Sequence, residues 1–333
     1  MNSLSSAQLR PAVYIVGAGP GDPELLTIKA QKLITQADVL VYANSLVPTQ
    51  ILQTVRPDAE RVATAKMTLE AIVPLMIERV RSGKSVVRLH SGDPSLYSAI
   101  HEQMLRLSQA DVPFEVIPGI SAFQAAAAKL QVELTIPAQV QSIILTRISG
   151  RTQVPDTEEL AGLAAHRASL CLYLSARHVL ESQTQLMTHY PADTPVAICF
   201  RVGWPDEQIK VVPLYQMAAA SQADELVRTT LYIISPALAN RAVIDRSSDC
   251  LSADRSSALD TVLEDRAELM KEAEIKQEVE VRSRLYSPTH DHLFRPTTQP
   301  SSQAASQAAS QAEHTVNQVS NQRVNQEQES AKR

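Results

Sequence analysis

Apolar residues along the first 240 positions fall into short continuous runs separated by stretches of helical period. Residues 12–16 (AVYIV) form such a run and stop at a glycine turn. A strand without polar alternation is buried on both faces, as in a parallel sheet. Asp22 stands where it can cap the following helix, with Pro23 at the first helical position. Leu25, Leu26, Ile28, Leu33 and Ile34 then recur at helical spacing. Residues 38–43 (DVLVYA) read as a second strand. Residues 68–81 carry a helical period that Pro74 either kinks or delays. Residues 85–90 (SVVRLH) predict the next strand, followed by a loop at 91–94 and a helix to about Leu107. Residues 114–117 form a short strand, then Pro118-Gly119 and an alanine-rich helix through Leu130. This β/α alternation signals a doubly wound sheet.

A second set of strands is predicted at 142–146, 169–174, 196–200 and 231–234, with helices over 157–166 and 178–188 separating the first three. The second half therefore has its own sheet. The boundary falls near residues 122–128, giving an N-terminal α/β domain over 12–123 and a C-terminal α/β domain over 124–240. Beyond that the pattern changes. Residues 256–284 are charged with a sparse apolar stripe (Leu259, Val262, Leu263, Leu269, Met270, Ala273), which fits one solvated amphipathic helix. Residues 297–333 are rich in Gln, Ser, Ala and Asn and contain SQAASQAASQA. Such a segment cannot bury enough apolar area to offset ordering entropy, so 241–333 reads as a low-complexity tail.

Composition narrows the classes. The chain has 333 residues, 44% apolar, with a net charge of −5. A mildly acidic balance disfavours nucleic acid as partner, because phosphate binding rests on clustered Lys and Arg. No run approaches the roughly 20 apolar residues of a membrane span. Residues 1–11 lack the apolar core of a secretory signal. The three cysteines, Cys171, Cys199 and Cys250, are scattered, with no CxxC spacing. They make neither a disulfide framework nor a metal knuckle, and a reducing cytoplasm fits.

Three of the nine glycines lie within five residues, Gly17, Gly19 and Gly21. A dinucleotide fingerprint GxGxxG would need glycine at position 22, where Asp22 stands. Its carboxylate opposes a pyrophosphate at a helix N-terminus. Pro20 removes a backbone donor, and Ala43-Asn44 occupies the place of an acidic ribose ligand. A nicotinamide-dependent oxidoreductase is thus disfavoured. Two readings stay open for this loop: a tight structural turn, or the wall of a pocket for a ligand without phosphates. Residues 90–97 (HSGDPSLY) follow another parallel strand, at the end where open α/β sheets bind ligands. Asp93 there is either a helix cap or an acceptor for ribose hydroxyls. Small residues at 118–122 (PGISA) would admit a flat group such as adenine.

Taken in order, VGAGPGDPELLT (16–27), SGDPSLY (91–97) and EVIPGISA (115–122) resemble the tetrapyrrole (corrin/porphyrin) methylase family. The resemblance covers about residues 12–238 and excludes the tail. It implies two α/β domains with an active-site cleft between them, the class III S-adenosylmethionine-dependent methyltransferase architecture. It also implies S-adenosyl-L-methionine as methyl donor, a small-molecule tetrapyrrole as partner and a homodimer. By matching position, donor-binding roles fall on Pro20, Gly92, Asp93, Leu96, Ser121, Ala122, Leu174, Val202 and Thr230, with Thr229 beside it. Segments 42–48 (YANSLVP), 64–69 (TAKMTL), 146–152 and 201–207 (RVGWPDE) resemble the branch that methylates C11 of the corrin ring. Asn44 replaces a glycine of that branch and can adopt the left-handed region the turn expects. Ala43 argues against the uroporphyrinogen-III methylases, and a methylase acting at another ring carbon is the nearest alternative.

An activated sulfonium methyl needs orientation and exclusion of water more than a metal or covalent nucleophile, so no protein-bound metal is expected. Asp22 and Lys66 are the titratable candidates for a catalytic role, with Asp93 expected on the donor. Carboxylate arms of the acceptor suit guanidinium forks. Arg147, Arg151 and Arg201 are the candidates, each with a surface ion pair as alternative, and Trp204 is either packing or a stacking platform. His90 and His178 read as core or capping histidines.

Overall fold

The computed structural model describes residues 9–150 and 152–240. The expected helix over 256–284, the segment 297–333, Cys250 and Arg151 lie outside the described residues.

The first sheet comprises β1 (Val13–Gly17), β2 (Val39–Tyr42), β3 (Glu60–Ala63), β4 (Val86–His90) and β5 (Phe114–Ile117). All pairs are parallel in the order β3-β2-β4-β1-β5, with Val13 opposite both Val86 and Phe114. Alternate residues of β1 enter different clusters. Tyr14 and Val16 pack with Ala30, Leu33 and Ile34 of α1 (Ile28–Gln36), whereas Val13 and Ile15 pack with Val73 and Met76 of α2 (Leu69–Arg81) and Leu107 of α3 (Ile100–Gln109). Burial on both faces is why this strand reads as uninterrupted apolar residues.

The second sheet comprises β6 (Ile143–Arg147), β7 (Ser169–Tyr173), β8 (Pro195–Phe200), β9 (Gln208–Pro213) and β10 (Thr230–Ile234), ordered β6-β7-β10-β8-β9. Only β6 and β7 run parallel; the other pairs are antiparallel. One face packs on α5 (Leu160–Ala164), α6 (Val179–Leu186) and α7 (Met217–Ala223). The other face, with Cys171, Ala197, Cys199 and Ile233, receives Ala125, Ala126 and Leu130 of α4 (Ala122–Leu130). Among the described residues the chain passes from one sheet to the other once, through α4 and the segment to residue 142.

Several elements differ from the sequence reading. Asp22 caps only a single 3-10 turn, Pro23–Leu25, while α1 starts later under the side chain of Thr27, which accepts from the Ala30 amide at 3.1 Å. Pro74 lies inside α2 on its exposed face, so the helix continues through it rather than starting after it. The helix after the second loop does not begin near Ser95. Tyr97 (φ 54°) and Ala99 (φ 49°) are left-handed, and α3 starts only at Ile100. Asn44 is not among the positive-φ residues; instead its Oδ1 accepts from the Ala65 amide at 3.4 Å. The edge strands β3 and β9 and the helix α7 are additions. No helix of the described residues is long and apolar enough to cross a membrane.

Candidate active site

Neighbouring strands β4, β1 and β5 deliver the three glycine loops side by side, at their carboxyl ends. The loops are stitched together by backbone. Gly19 and Gly92 exchange hydrogen bonds of 3.2 and 2.7 Å, and the Ala18 amide donates to the His90 carbonyl at 2.8 Å. Asp93 ties the second loop to the third: one oxygen accepts from the Ser95 amide at 2.8 Å and from the Ser95 hydroxyl, the other from the Gly119 amide at 2.8 Å. Partial burial opposes ionisation of Asp93, but these hydrogen bonds outweigh it and hold its carboxyl below the usual range. Glycine is required where the loops meet. A Cβ on Gly119 would lie 2.3 Å from the Gly92 carbonyl oxygen, and one on Gly17 would lie 2.6 Å from the Gly119 nitrogen.

Across from these loops stands the second sheet. Tyr173, at the end of β7, bonds Ser121 hydroxyl to hydroxyl at 2.9 Å and accepts from the Phe123 amide at 3.3 Å. Burial pushes its phenol up to about 12, against the opposing effect of Ser121, so it stays protonated. Its ring meets that of Tyr97, with centroids 5.4 Å apart.

Between the two walls lies a cavity of about 510 Å³. Of the residues expected to hold the donor, Pro20, Asp93, Leu96, Ser121, Ala122, Leu174, Val202, Thr229 and Thr230 all line it. Gly92 does not line it, because its backbone is spent on Gly19. Left-handed backbone gathers here: Tyr97, Leu174, Arg201 and Thr229 all line the cavity with positive φ. Strain at non-glycine residues typically costs about 1–3 kcal/mol each and concentrates at functional sites.

The remaining candidates fall into different places. Asp22 lines a separate pocket with Lys129 and Glu207, and its side chain accepts from the Glu24 amide at 2.9 Å. Lys66 is exposed and lines neither pocket. Neither carboxylate nor amine is therefore brought to the cavity as a base. Arg147 also lies outside the lining, its guanidinium donating to the carbonyls of Ile148, Thr152 and Gln153 at 3.3, 2.8 and 2.9 Å, so it braces its own loop. Arg201 does line the cavity, paired with Asp206 and stacked 5.2 Å from the Phe200 ring centroid and 5.0 Å from that of Trp204. Trp204 also lines the cavity, with the Arg201 guanidinium over its ring and its indole packed where a Gly21 side chain would be, 2.5 Å from an ideal Cβ. Gln50 fastens this corner by donating to the carbonyls of Gly21 (2.7 Å) and Gly203 (3.2 Å).

Sequence reasoning passed over Arg88, Arg177 and Arg228, which also line the cavity. Arg88 sits inside a strand that otherwise reads as apolar, so its period gave no signal. Arg177, in a 3-10 turn over Ala176–His178, and Arg228, in a loop, lie in segments that no quoted motif covers. His90, read as a core residue, lines the cavity as well. Among the described residues no group of three or more His, Cys, Asp or Glu could hold a metal ion.

Comparison with known proteins agrees with this geometry. A precorrin-4 C(11)-methyltransferase of Pseudomonas aeruginosa is 43% identical over 235 residues, 71% of this chain and 94% of that protein. A cobalt-precorrin-4 C(11)-methyltransferase of Methanocaldococcus jannaschii is 43% identical over 68% of this chain and 88% of its own length. The X-ray structure of a cobalt precorrin-4 methyltransferase superposes with a TM-score of 0.67 at 41% identity, covering 68% of this chain and 96% of that one. A uroporphyrin-III C-methyl transferase of Thermus thermophilus, complexed with S-adenosylhomocysteine, gives 0.58 at 27% identity, covering 68% and 98%. The family model described as Tetrapyrrole (Corrin/Porphyrin) Methylases matches residues 12–218, and this chain belongs to that family.

Proposed function

We propose that the chain transfers a methyl group from S-adenosylmethionine to C11 of precorrin-4 or of its cobalt form, in cobalamin biosynthesis. One observation carries the reading: the cavity combines a wall of cross-bonded glycine loops with a strongly basic lining. Among the described residues Arg88, Arg177, Arg228 and the Asp206-paired Arg201 line it with one acid, Asp93, in a chain whose net charge is −5. Such a local excess of positive charge suits an acceptor carrying many carboxylates.

The sulfonium of the donor supplies an already activated methyl group. The residues of this chain have three tasks. Pro20, Leu96, Ser121, Ala122, Leu174, Val202 and Thr230 would enclose the donor. The fit is that of a shaped cradle, since the closest approaches at Gly17 and Gly119 leave no room for a side chain. The arginines would orient the macrocycle so that its C11 lies in line with the methyl–sulfur bond. Orientation of this kind can supply up to roughly 7–11 kcal/mol of barrier reduction. Apolar Leu46, Leu89 and Val227 in the lining help to keep water out. Where a proton must leave the ring, Tyr97, Tyr173, Cys199 and His90 join Asp93 as titratable groups on the walls. Tyr173 stays protonated, and Asp93 spends both oxygens on the loops, so neither is poised as a base.

We also take the working form to be a homodimer in the cytoplasm, as the resemblance implies; light scattering on the purified chain checks the first point. The deciding experiment is incubation of the chain with labelled donor and precorrin-4, with and without cobalt, followed by mass spectrometry and NMR. A new methyl at C11 is expected. Transfer to another carbon would reassign the acceptor, and no transfer to either form would overturn the reading.

A further inference from the structure

Among the described residues, Arg88 is a cation without a counter-ion. Its residue is 8% exposed. Among the described residues its Nη1 donates to the Thr64 hydroxyl at 3.0 Å, and its buried Nε has no partner. Elsewhere around the same sheet half-buried arginines are matched: Arg79 of α2 with Glu60, and Arg56, ahead of β3, with Asp38. A buried charge lacking its partner is strongly destabilising, so the exception at the floor of the cavity needs a cause. Two residues along β4, on the same face of the strand, His90 repeats the pattern. It is 8% exposed and its buried Nε2 has no partner. Burial, and then the nearby charge of Arg88, pushes its pKa down to about 3, so it offers a neutral ring nitrogen. Burial lowers Arg88 only to about 10, and it remains a cation at neutral pH.

We infer that Arg88, with His90 beside it, binds a carboxylate that arrives with substrate, and that this carboxylate is an acetate or propionate arm of the macrocycle. The assignment to the acceptor follows from topology. Thr64 follows β3, and the strand order is β3-β2-β4-β1-β5. The bond to Thr64 therefore draws the guanidinium across β2, away from β1 and β5, whose loops carry Pro20, Ser121 and Ala122. A planar fork with Nη1 fixed on Thr64 leaves its other N–H groups for a carboxylate, and the Nε2–H tautomer of His90 adds a donor.

This inference rests on the methyl-transfer reading, and the test separates the two. Wild-type chain, Arg88→Met, Arg88→Lys and Thr64→Val are titrated with uroporphyrin III by fluorescence and with S-adenosylhomocysteine by calorimetry. The KM for precorrin-4 is measured alongside, and thermal unfolding monitors folding. Arg88→Met should weaken uroporphyrin binding and raise the precorrin-4 KM by roughly 10- to 100-fold, with S-adenosylhomocysteine affinity unchanged. Arg88→Lys should recover part of the loss. If Arg88→Met does not fold, Thr64→Val keeps the charge but frees the guanidinium, and it should show a several-fold loss confined to the tetrapyrrole. Loss of S-adenosylhomocysteine affinity with tetrapyrrole binding intact would assign the carboxylate to the donor and overturn the inference. Unchanged affinity for both ligands would make Arg88 purely structural and overturn it too. Failure of the wild type to bind S-adenosylhomocysteine would instead strike the methyl-transfer reading itself.

Discussion

Gly119→Ala tests whether the three loops act as one built wall. Nothing about the backbone of Gly119 demands glycine, since its φ is not in the left-handed region. The obstacle is packing. The new methyl would lie 2.3 Å from the Gly92 oxygen and 2.9 and 3.0 Å from the Cα and carbonyl carbon of Gly17. Every one of these neighbours is backbone, so no side chain can swing aside. Overpacking of this kind costs about 1–3 kcal/mol. If the third loop moves off to relieve it, the Gly119 amide leaves Asp93, and a hydrogen bond to a charged group worth about 1.5–3 kcal/mol goes with it. The expected sum is about 2.5–6 kcal/mol, with S-adenosylhomocysteine affinity down at least about 10-fold because Ser121 and Ala122 shift with the loop. Urea unfolding and calorimetry measure both. Gly162→Ala is the internal control: its Cβ would meet nothing within 4 Å, and the exposed α5 position should gain about 0.5–1 kcal/mol. A Gly119→Ala chain with wild-type midpoint and wild-type affinity would refute the account of the wall.

Other outcomes follow from the same geometry. Asp93→Asn turns one of two acceptor oxygens into a donor facing backbone amides; urea unfolding should show a loss of about 1.5–3 kcal/mol, and calorimetry about 10-fold weaker S-adenosylhomocysteine binding. His90 has an ordinary value of 6.5 and a folded one of about 3, so between them the unfolded chain takes up a proton that the native chain refuses. Its contribution is complete above pH 6.5 and declines as acid is added, by about 2 kcal/mol at pH 5. Urea midpoints of wild type and His90→Gln from pH 4.5 to 7.5 should converge at the acid end, and parallel curves would refute the assignment. Arg147→Ala should cost about 1 kcal/mol or more by freeing the carbonyls of its loop, with uroporphyrin III affinity unchanged. A large loss of that affinity at unaltered stability would return Arg147 to the acceptor.

Continuous apolar strands and glycine loops are the parts of this molecule that a sequence declares openly. Both sheets and the order of the three loops were legible for that reason, because β1, β4 and β7 are buried on both faces and carry no alternation to misread. The edge strands were not. β3 is a four-residue ERVA that alternates between half-buried and exposed, and β9 mixes Gln208 and Lys210 into an edge. The site divides in the same way. Residues on the glycine loops could be placed from their motifs, because backbone approach leaves a glycine signature. The basic lining could not, since a guanidinium reads the same whether it braces its own loop, as Arg147 does, or reaches a cavity floor, as Arg88 does. Asp93 invited a ligand role by its place beside Gly92, while its oxygens are committed to Ser95 and Gly119.

The connection at Pro118–Ala122 has a mechanical side. Its amide at Gly119 is fastened to the first sheet through Asp93, and its hydroxyl at Ser121 is fastened to the second through Tyr173. The five-residue span is thus a strut anchored at each end, and it opens directly into the helix that roofs the second sheet. Any rocking of one half against the other must first part Ser121 from Tyr173. Breathing of the crevice and loosening of its grip on the donor become a single event, so a Tyr173→Phe chain would release its spent donor faster.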